Sequence, residues 1–238
     1  MGAGPRNHVC RGCQRASHLQ VRGIAFKILL GALVVIVSYY AFVMIDGYVR
    51  TPALVMARMA GVEKAFAADQ LSAEYLHILL TVEDPEFFSH NGVDLSTPGA
   101  GLTTITQALA KDLYFEQFRP GIAKLKQSLL ALVLNQRVDK WAQLDLFINT
   151  VYLGSDSGRT IEGFPAAARA YFNKEFFELT REEYIALVAM IIGPNALSVS
   201  HHPEKNAERV RCIERLLRGE CQPAGLNDVN YEQCSASP

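Results

Sequence analysis

Hydrophobic positions fall into two regimes along this chain. From Ile28 to Ile45 the sequence ILLGALVVIVSYYAFVMI runs for 18 residues without a charge, apolar all round rather than along one stripe. At about 1.5 Å per residue it spans roughly 27 Å, close to the thickness of a bilayer's hydrocarbon core. Beyond it, apolar residues recur at helical spacing between polar caps. Pro52 to Ala68 has helical composition and moderate amphipathy, which suits a helix on a membrane surface or a plain linker helix. Ser72 offers an N-cap with Glu74 in the first turn, and Leu76, Leu79 and Leu80 carry the apolar face to Val82. Pro85 then predicts a helix end at Glu83-Asp84. LSTPGAG, Leu95 to Gly101, is a turn-rich loop.

Thr103 or Thr104 can cap a helix running to Phe115. Further helices are expected from Gly121 to Arg137, with Ile122, Leu125, Leu129, Val133 and Gln136 on one face, and from Lys140 to about Tyr152. Gly163 to Phe172 is alanine-rich. Thr180-Arg-Glu-Glu183 is a capping box that opens an apolar helix through Ile192, before Gly193-Pro194. Pro203 starts a charged helix ending near Gly219, and the last twenty residues read as loose. No internal repeat and no convincing alternating strand pattern is visible, so the expected fold class is mainly α.

Charge divides the chain in the same place. The net charge is −1, but residues 1–45 carry Arg6, Arg11, Arg15, Arg22 and Lys27 and no acid. The remainder therefore holds 18 basic against 24 acidic residues, a net of −6. An acidic domain does not suggest nucleic acid as a partner. Basic residues before the apolar run predict a single N-terminal transmembrane helix with a cytoplasmic tail and the rest outside. A cleaved signal peptide is the rival, but the apolar run is long for one and no small-x-small site follows at once. The expected organisation is a basic tail over 1–27, a transmembrane helix over 28–45, a membrane-proximal linker or helix over 46–71, a domain over 72–219 and a tail over 220–238.

The five cysteines form two groups. Cys10 and Cys13 make a lone CxxC in the tail, where His8 and His18 could complete a metal site, although such a tail is more often without structure. Cys212, Cys221 and Cys234 fall in the outer part, where a disulfide can persist. Three thiols leave one over, and the pairing is open.

Two stretches carry candidate chemistry. In TVEDPEFFSHNGVD, Thr81 to Asp94, Glu83 lies at the edge of an apolar helix beside Phe87 and Phe88. That setting raises a carboxyl pKa and suits a general base, although an exposed helix-end acid is the plainer reading of the stretch alone. Asp84, His90 and Asp94 have ready roles as loop and cap hydrogen-bonders. In GLTTITQALAKDLYF, Gly101 to Phe115, Thr104, Gln107 and Lys111 fall at i, i+3 and i+7 on one helix face. A hydroxyl, an amide and an ammonium beside a helix N-terminus suit an anion such as a phosphate. Arg119, Lys124, Lys126, Arg137 and Lys140 extend this into a locally basic strip.

These stretches also carry a resemblance. Glu83-Asp84-x-x-Phe87-x-x-His90-x-Gly92-x-Asp94 resembles the first signature of the peptidoglycan glycosyltransferase (biosynthetic transglycosylase) family. GLTTITQALAKD resembles the family's GGSTITQQLxKN, and KWAQLDLFINTVYLG its KxxILExYLNxxxxG. GFPAAARAYFNK with LTREEYIALVAMIIGPN resembles AAxxYFGK followed by LTxxEAALLAGLPxxP. The matches come in family order over roughly residues 72–215. The resemblance implies a mainly α, lysozyme-like glycosyltransferase domain behind a single N-terminal transmembrane helix, on the outer or periplasmic face of the bacterial cytoplasmic membrane. It also implies polymerisation of lipid II onto the growing glycan strand, with inversion at the donor's pyrophosphate-bearing carbon, as part of cell-wall synthesis. By position Glu83 would be the base, with Gln127 in the second catalytic position. Asp84, His90, Thr103, Thr104, Gln107, Lys111, Lys124 and Asn149 would bind or shape the substrate site. No certain cofactor follows, Mg or Mn being the divalent cations the family would admit, and other cell-wall synthesis proteins are the implied partners. No SxxK acylation motif is present, so a monofunctional type without a transpeptidase module is expected.

The sequence also departs from the family pattern. In AKLKQSLLA, Ala123 stands for the arginine of RKxxE, Lys124 is kept, and Gln127 stands for the glutamate. Gln127 can hydrogen-bond but carries no charge and is a poor ligand for a divalent metal. Leu102, Ala108, Asp112 and Asp145 are further departures, and six residues separate Asp94 from Gly101, a short loop for the family. Three readings follow: an active glycosyltransferase that uses Glu83, a weak or inactive lipid II-binding scaffold, and a hydrolase working with one acid.

Overall fold

A computed structural model describes residues 11–156 and 158–235, with side chains described from residue 24 onward. The Cys10/Cys13 pair and most of the basic tail fall outside the described side chains. The chain divides into two units, residues 1–45 and 46–238. Helix α1 (Arg11–Ala60) runs from one into the other. In the first unit it exposes Leu29, Val35 and Phe42 by about two thirds of their surface, an apolar surface of the kind that marks contact with a membrane or another protein. Its segment Ile24–Ala60 is the one helix among the described residues that is long and apolar enough to cross a membrane.

The second unit is helical, with α2 (Ala73–Glu83), α3 (Ile105–Tyr114), α4 (Ile122–Arg137), α5 (Lys140–Thr150), α6 (Phe164–Phe172), α7 (Arg181–Met190), α8 (Pro203–Leu217) and the short α9 (Glu232–Ser235). Local sequence explains the starts. Ser72, Thr104, Asp139 and Thr180 each accept a hydrogen bond from a backbone N–H two or three residues into the helix they cap, which satisfies a donor that would otherwise lack a partner.

Helix α7 forms the centre, with every residue from Tyr184 to Met190 buried. It packs on α8 and α2, while α3 packs on α4 and α5. Beside it the Tyr184 ring stacks on Tyr75 at 4.1 Å between centroids and tilts against Phe164 at 5.5 Å.

Three features depart from the helical pattern read from the sequence. Residues 152–162 form an antiparallel hairpin, β1 (Tyr152–Asp156) with β2 (Arg159–Glu162), in the register Tyr152↔Glu162 and Asp156↔Arg159. It is too short for an alternating pattern to show. The end of α1 is built into the second unit: the Gly47 backbone meets Leu130, and Thr51 hydrogen-bonds Tyr114. The stretch after Gly219, which read as loose, also folds onto the domain. Cys221 and Cys234 form a disulfide, Cys212 stays free and buried, and Tyr231 is buried.

The Tyr184 hydroxyl is buried with no hydrogen-bond partner among the described residues, and an orphaned polar group of this kind costs roughly 1–3 kcal/mol. Tyr184→Phe keeps the ring stack and removes that cost. Thermal unfolding is expected to show a stabilisation of about 1 kcal/mol for Tyr184→Phe and a loss of about 3–5 kcal/mol for Tyr184→Ala.

Candidate active site

A cleft of about 510 Å³ opens between the end of α2, the glycine loop 99–101, α3, the α5–β1 junction and Arg209 of α8. Glu83 is the last residue of α2 and faces this cleft. Val82, Ile105, Leu109 and Ile191 line the same space, and among the described residues no hydrogen bond reaches the Glu83 carboxylate. Burial is the main cause that raises its pKa to about 7. The Arg209 charge opposes the rise and the Asp84 charge adds to it.

The residues after Glu83 build a frame. Pro85 stops α2, and the Asp84 side chain turns inward, where it is fully buried. One Asp84 oxygen accepts the Ile105 N–H at the start of α3 at 2.9 Å. His90 Nε2 lies 2.9 and 3.0 Å from the two Asp84 oxygens, while His90 Nδ1 accepts the Gly92 N–H at 2.9 Å. With Nδ1 an acceptor, Nε2 carries the proton and donates to the carboxylate. Asp94 accepts from the Ser96 and Thr97 N–H groups and the Ser96 hydroxyl. Burial opposes these bonds, but together they hold its pKa down at about 2. Asp84, His90 and Asp94 therefore hold the loop in place, and neither Asp84 nor His90 lines the cleft.

The polar stripe of α3 splits between cleft and interior. Thr103, Thr104 and Lys111 line the cleft. Gln107 is buried: its N–H donates to Thr104 Oγ1, its Oε1 accepts the Thr104 N–H, and its Nε2 donates to Ser128 Oγ at 2.9 Å. The capping box thus occupies the amide that the sequence places on a binding face. Lys124 of α4 reaches over to donate to Thr103 Oγ1 at 2.7 Å. Burial, and then the nearby Lys111 charge, hold the Lys124 pKa below its ordinary value. Neither lysine forms an ion pair among the described residues.

Gln127 lies beneath this stripe. Its Nε2 donates to the Gln107 carbonyl at 2.7 Å, and its Oε1 is buried without a partner among the described residues. Asn149 faces elsewhere. It donates to the Phe66 and Asp145 carbonyls, accepts the Phe66 N–H, and lines a separate hollow of about 400 Å³. Among the described residues no group of three or more His, Cys, Asp or Glu side chains is placed to hold a metal ion.

Arg209, Glu162 and Val229 escaped the sequence reading, and Asp112 entered it only as a departure from the second motif. Arg209 is buried against the cleft, with its Nε unpaired, inside a helix whose many charges hid it. Asp112 and Glu162 also line the cleft, but Arg58 neutralises both at 2.7 Å and donates to the Thr150 carbonyl. Val229 comes from the C-terminal stretch. No motif marks Arg209, Glu162 or Val229, because each is set by packing between distant segments.

A family model described as Transglycosylase matches residues 54–217, an interval that holds Glu83, Lys111, Lys124 and Arg209. The chain belongs to the transglycosylase family. Penicillin-binding protein 1B of Escherichia coli K12 is 31% identical over 173 residues, covering 67% of this chain and 20% of that protein. Penicillin-binding protein 1A of Aquifex aeolicus is 31% identical over 197 residues, covering 75% and 26% respectively. The chain thus spans a fifth to a quarter of the length of these curated relatives. The helical unit is a lysozyme-like transglycosylase domain.

The raised Glu83 pKa makes stability depend on pH. The folded state keeps the Glu83 proton up to about pH 7, whereas an unfolded glutamate loses it near 4.5. The contribution is therefore complete below about 4.5 and is lost as pH rises through 7. Glu83→Gln removes that dependence. Thermal melts from pH 4 to 8 are expected to show it close to the parent at pH 4, and more stable by on the order of 2–3 kcal/mol at pH 8.

Proposed function

We propose that this chain is a peptidoglycan glycosyltransferase that extends glycan strands from lipid II. The observation that carries the reading is a proton-holding carboxyl, Glu83, in the same cleft as Lys111 and Thr103, with Lys124 bonded to Thr103 and neither lysine in an ion pair among the described residues. Glu83, with its pKa near 7, takes the proton from the acceptor's 4-hydroxyl. The freed oxygen attacks the anomeric carbon of the strand's last sugar from the face opposite the pyrophosphate. That carbon–oxygen bond breaks, the linkage inverts, and polyprenyl pyrophosphate leaves. Lys111, Lys124 and Thr103 hold the departing charge, and a preorganised cation is worth most in a cleft that excludes water.

Gln127 takes no proton in this scheme. Its amide orients the Gln107 carbonyl and so the start of α3. No group of acids among the described residues is placed to keep a divalent cation, and in this scheme Mg or Mn would arrive with the substrate's pyrophosphate. Asp84 and His90 act by holding the loop, and Asn149 by fixing the segment around Phe66. The apolar helix holds the domain at the outer face of the cytoplasmic membrane, with the basic tail inside, where lipid-linked substrate is presented and other cell-wall synthesis proteins can meet it. A buried, uncharged Gln127 in the second acidic position, bonded only through its Nε2 among the described residues, favours a second reading, in which lipid II is bound but turned over slowly or not at all.

The test is polymerisation of labelled lipid II by the purified full chain in detergent. Strands are expected from the parent, with the rate rising with pH through about 7 as Glu83 loses its proton. Glu83→Gln should lower the rate by about 10²–10⁴-fold. Lys111→Ala should weaken substrate use by at least about tenfold. Lipid II binding with no polymer from the parent or from Gln127→Glu would replace the enzyme with the binding protein.

A further inference from the structure

The disulfide Cys221–Cys234 closes a loop that reaches the cleft from outside the family match, which ends at residue 217. Two contacts join it to the glycine loop. The Gly99 N–H donates to the Gly225 carbonyl at 2.9 Å, and the Gly101 N–H to the Leu226 carbonyl at 2.8 Å. Both glycines have positive φ, 79° and 68°. A Cβ at Gly99 would stand 2.6 Å from Pro223 Cγ, and one at Gly101 would stand 2.8 Å from Val229 Cγ1. The two backbones therefore meet at a distance that only glycine allows.

A third contact joins the segment to the helix carrying Glu83. Tyr231 is buried, and its hydroxyl donates to the Val82 carbonyl at 2.9 Å, one residue before Glu83. Arg209 completes the link, donating to the Val229 carbonyl at 3.1 Å with its guanidinium 5.4 Å from the Tyr231 ring. Val229 itself lines the cleft. The segment's acid Asp228 is turned inward on its own loop, accepting the Ala224 and Glu232 N–H groups.

We propose that the disulfide-closed segment Cys221–Cys234 is a wall of the glycosyl-transfer site and that Tyr231 is a positioning residue for Glu83. The segment holds the end of α2 against the glycine loop and keeps water from the carboxylate. This rests on the glycosyltransferase reading above. The charged and titratable groups facing Glu83 are Asp84 beside it, Arg209 from α8 and Tyr231 from the segment, with Lys111, Asp112 and Glu162 along the same cleft. Freeing the segment removes Tyr231 and opens Glu83 to water, so its proton is held less tightly. Arg209, whose only hydrogen-bond acceptor among the described residues is in that segment, is loosened too; its charge lowers the Glu83 pKa, and the gain in hydration outweighs that loss.

The full chain is compared in three forms: oxidised, reduced with a phosphine, and as Cys221→Ser/Cys234→Ser. Tyr231→Phe serves as a variant that keeps the ring and the disulfide. Lipid II polymerisation is followed against pH, and amide exchange at Gly99 and Gly101 by mass spectrometry. Opening the disulfide is expected to speed exchange at both glycines and lower the rate at least tenfold. It should also move the acid limb of the rate profile from near pH 7 toward the ordinary carboxylate range. Tyr231→Phe should shift the limb in the same direction with less change in exchange. A lower rate with an unmoved limb would reduce the segment to a structural staple and overturn the proposal, as would identical oxidised and reduced enzymes. If the parent makes no polymer, the glycosyltransferase reading fails. The wall is then judged by carbodiimide modification of Glu83 at pH 6.5, which needs a protonated carboxyl. Faster labelling of the oxidised chain supports the wall, and equal labelling overturns it.

Discussion

The tie between the Asp84 carboxylate and the start of α3 is the constraint on which the site depends. A fully buried carboxylate is tolerable only when its lone pairs are satisfied. Here the Ile105 N–H and the His90 ring satisfy them. That need fixes the end of one helix, the loop behind it and the beginning of the next in one arrangement. Glu83, one residue earlier, is thereby pointed into the cleft, and Thr104 is placed where its hydroxyl donates to the Gly92 carbonyl at 2.7 Å. The two neighbouring acids have opposite fates for one reason. Asp84 has donors around it, and Glu83 has apolar walls.

Charge in the cleft follows from a second arrangement of the same kind. Asp112 and Glu162 would offset the lysines if they were free, but Arg58 from the end of α1 takes both. The end of the apolar helix therefore sets the charge of the cleft. By neutralising two cleft acids it leaves Lys111 and Lys124 as excess positive charge beside Thr103, in a space fit for a pyrophosphate. Burial of Lys124, and then the like charge of Lys111, lower the Lys124 pKa, and that is the cost of keeping such a site ready for an anion.

Much of the helical plan was legible in the sequence because it is written locally. Ser72, Thr104 and Thr180 announce helix starts through bonds made within three residues, and Pro85 and Gly193-Pro194 announce stops. The apolar run after a basic tail is local in the same sense. Glu83, Thr103, Thr104 and Lys111 could be picked out for this reason, since a helix end and a helix face are predictable from spacing. Gln107 shows the limit. Its spacing puts it on the stripe with Lys111, yet its amide serves the cap and Ser128, a choice that depends on α4 lying alongside.

By itself, then, the sequence determined most helix starts, an apolar run long enough to cross a membrane, the order of family motifs and the candidate base. These rest on interactions between residues a few positions apart, or on composition. Tertiary structure alone decided the partners that come from far along the chain. It brought Arg209 and Tyr231 to Glu83, Arg58 to Asp112 and Glu162, and Cys221 to Cys234 in preference to Cys212. Such pairings are set by which surfaces pack, and packing depends on the whole buried core rather than on any one stretch of sequence.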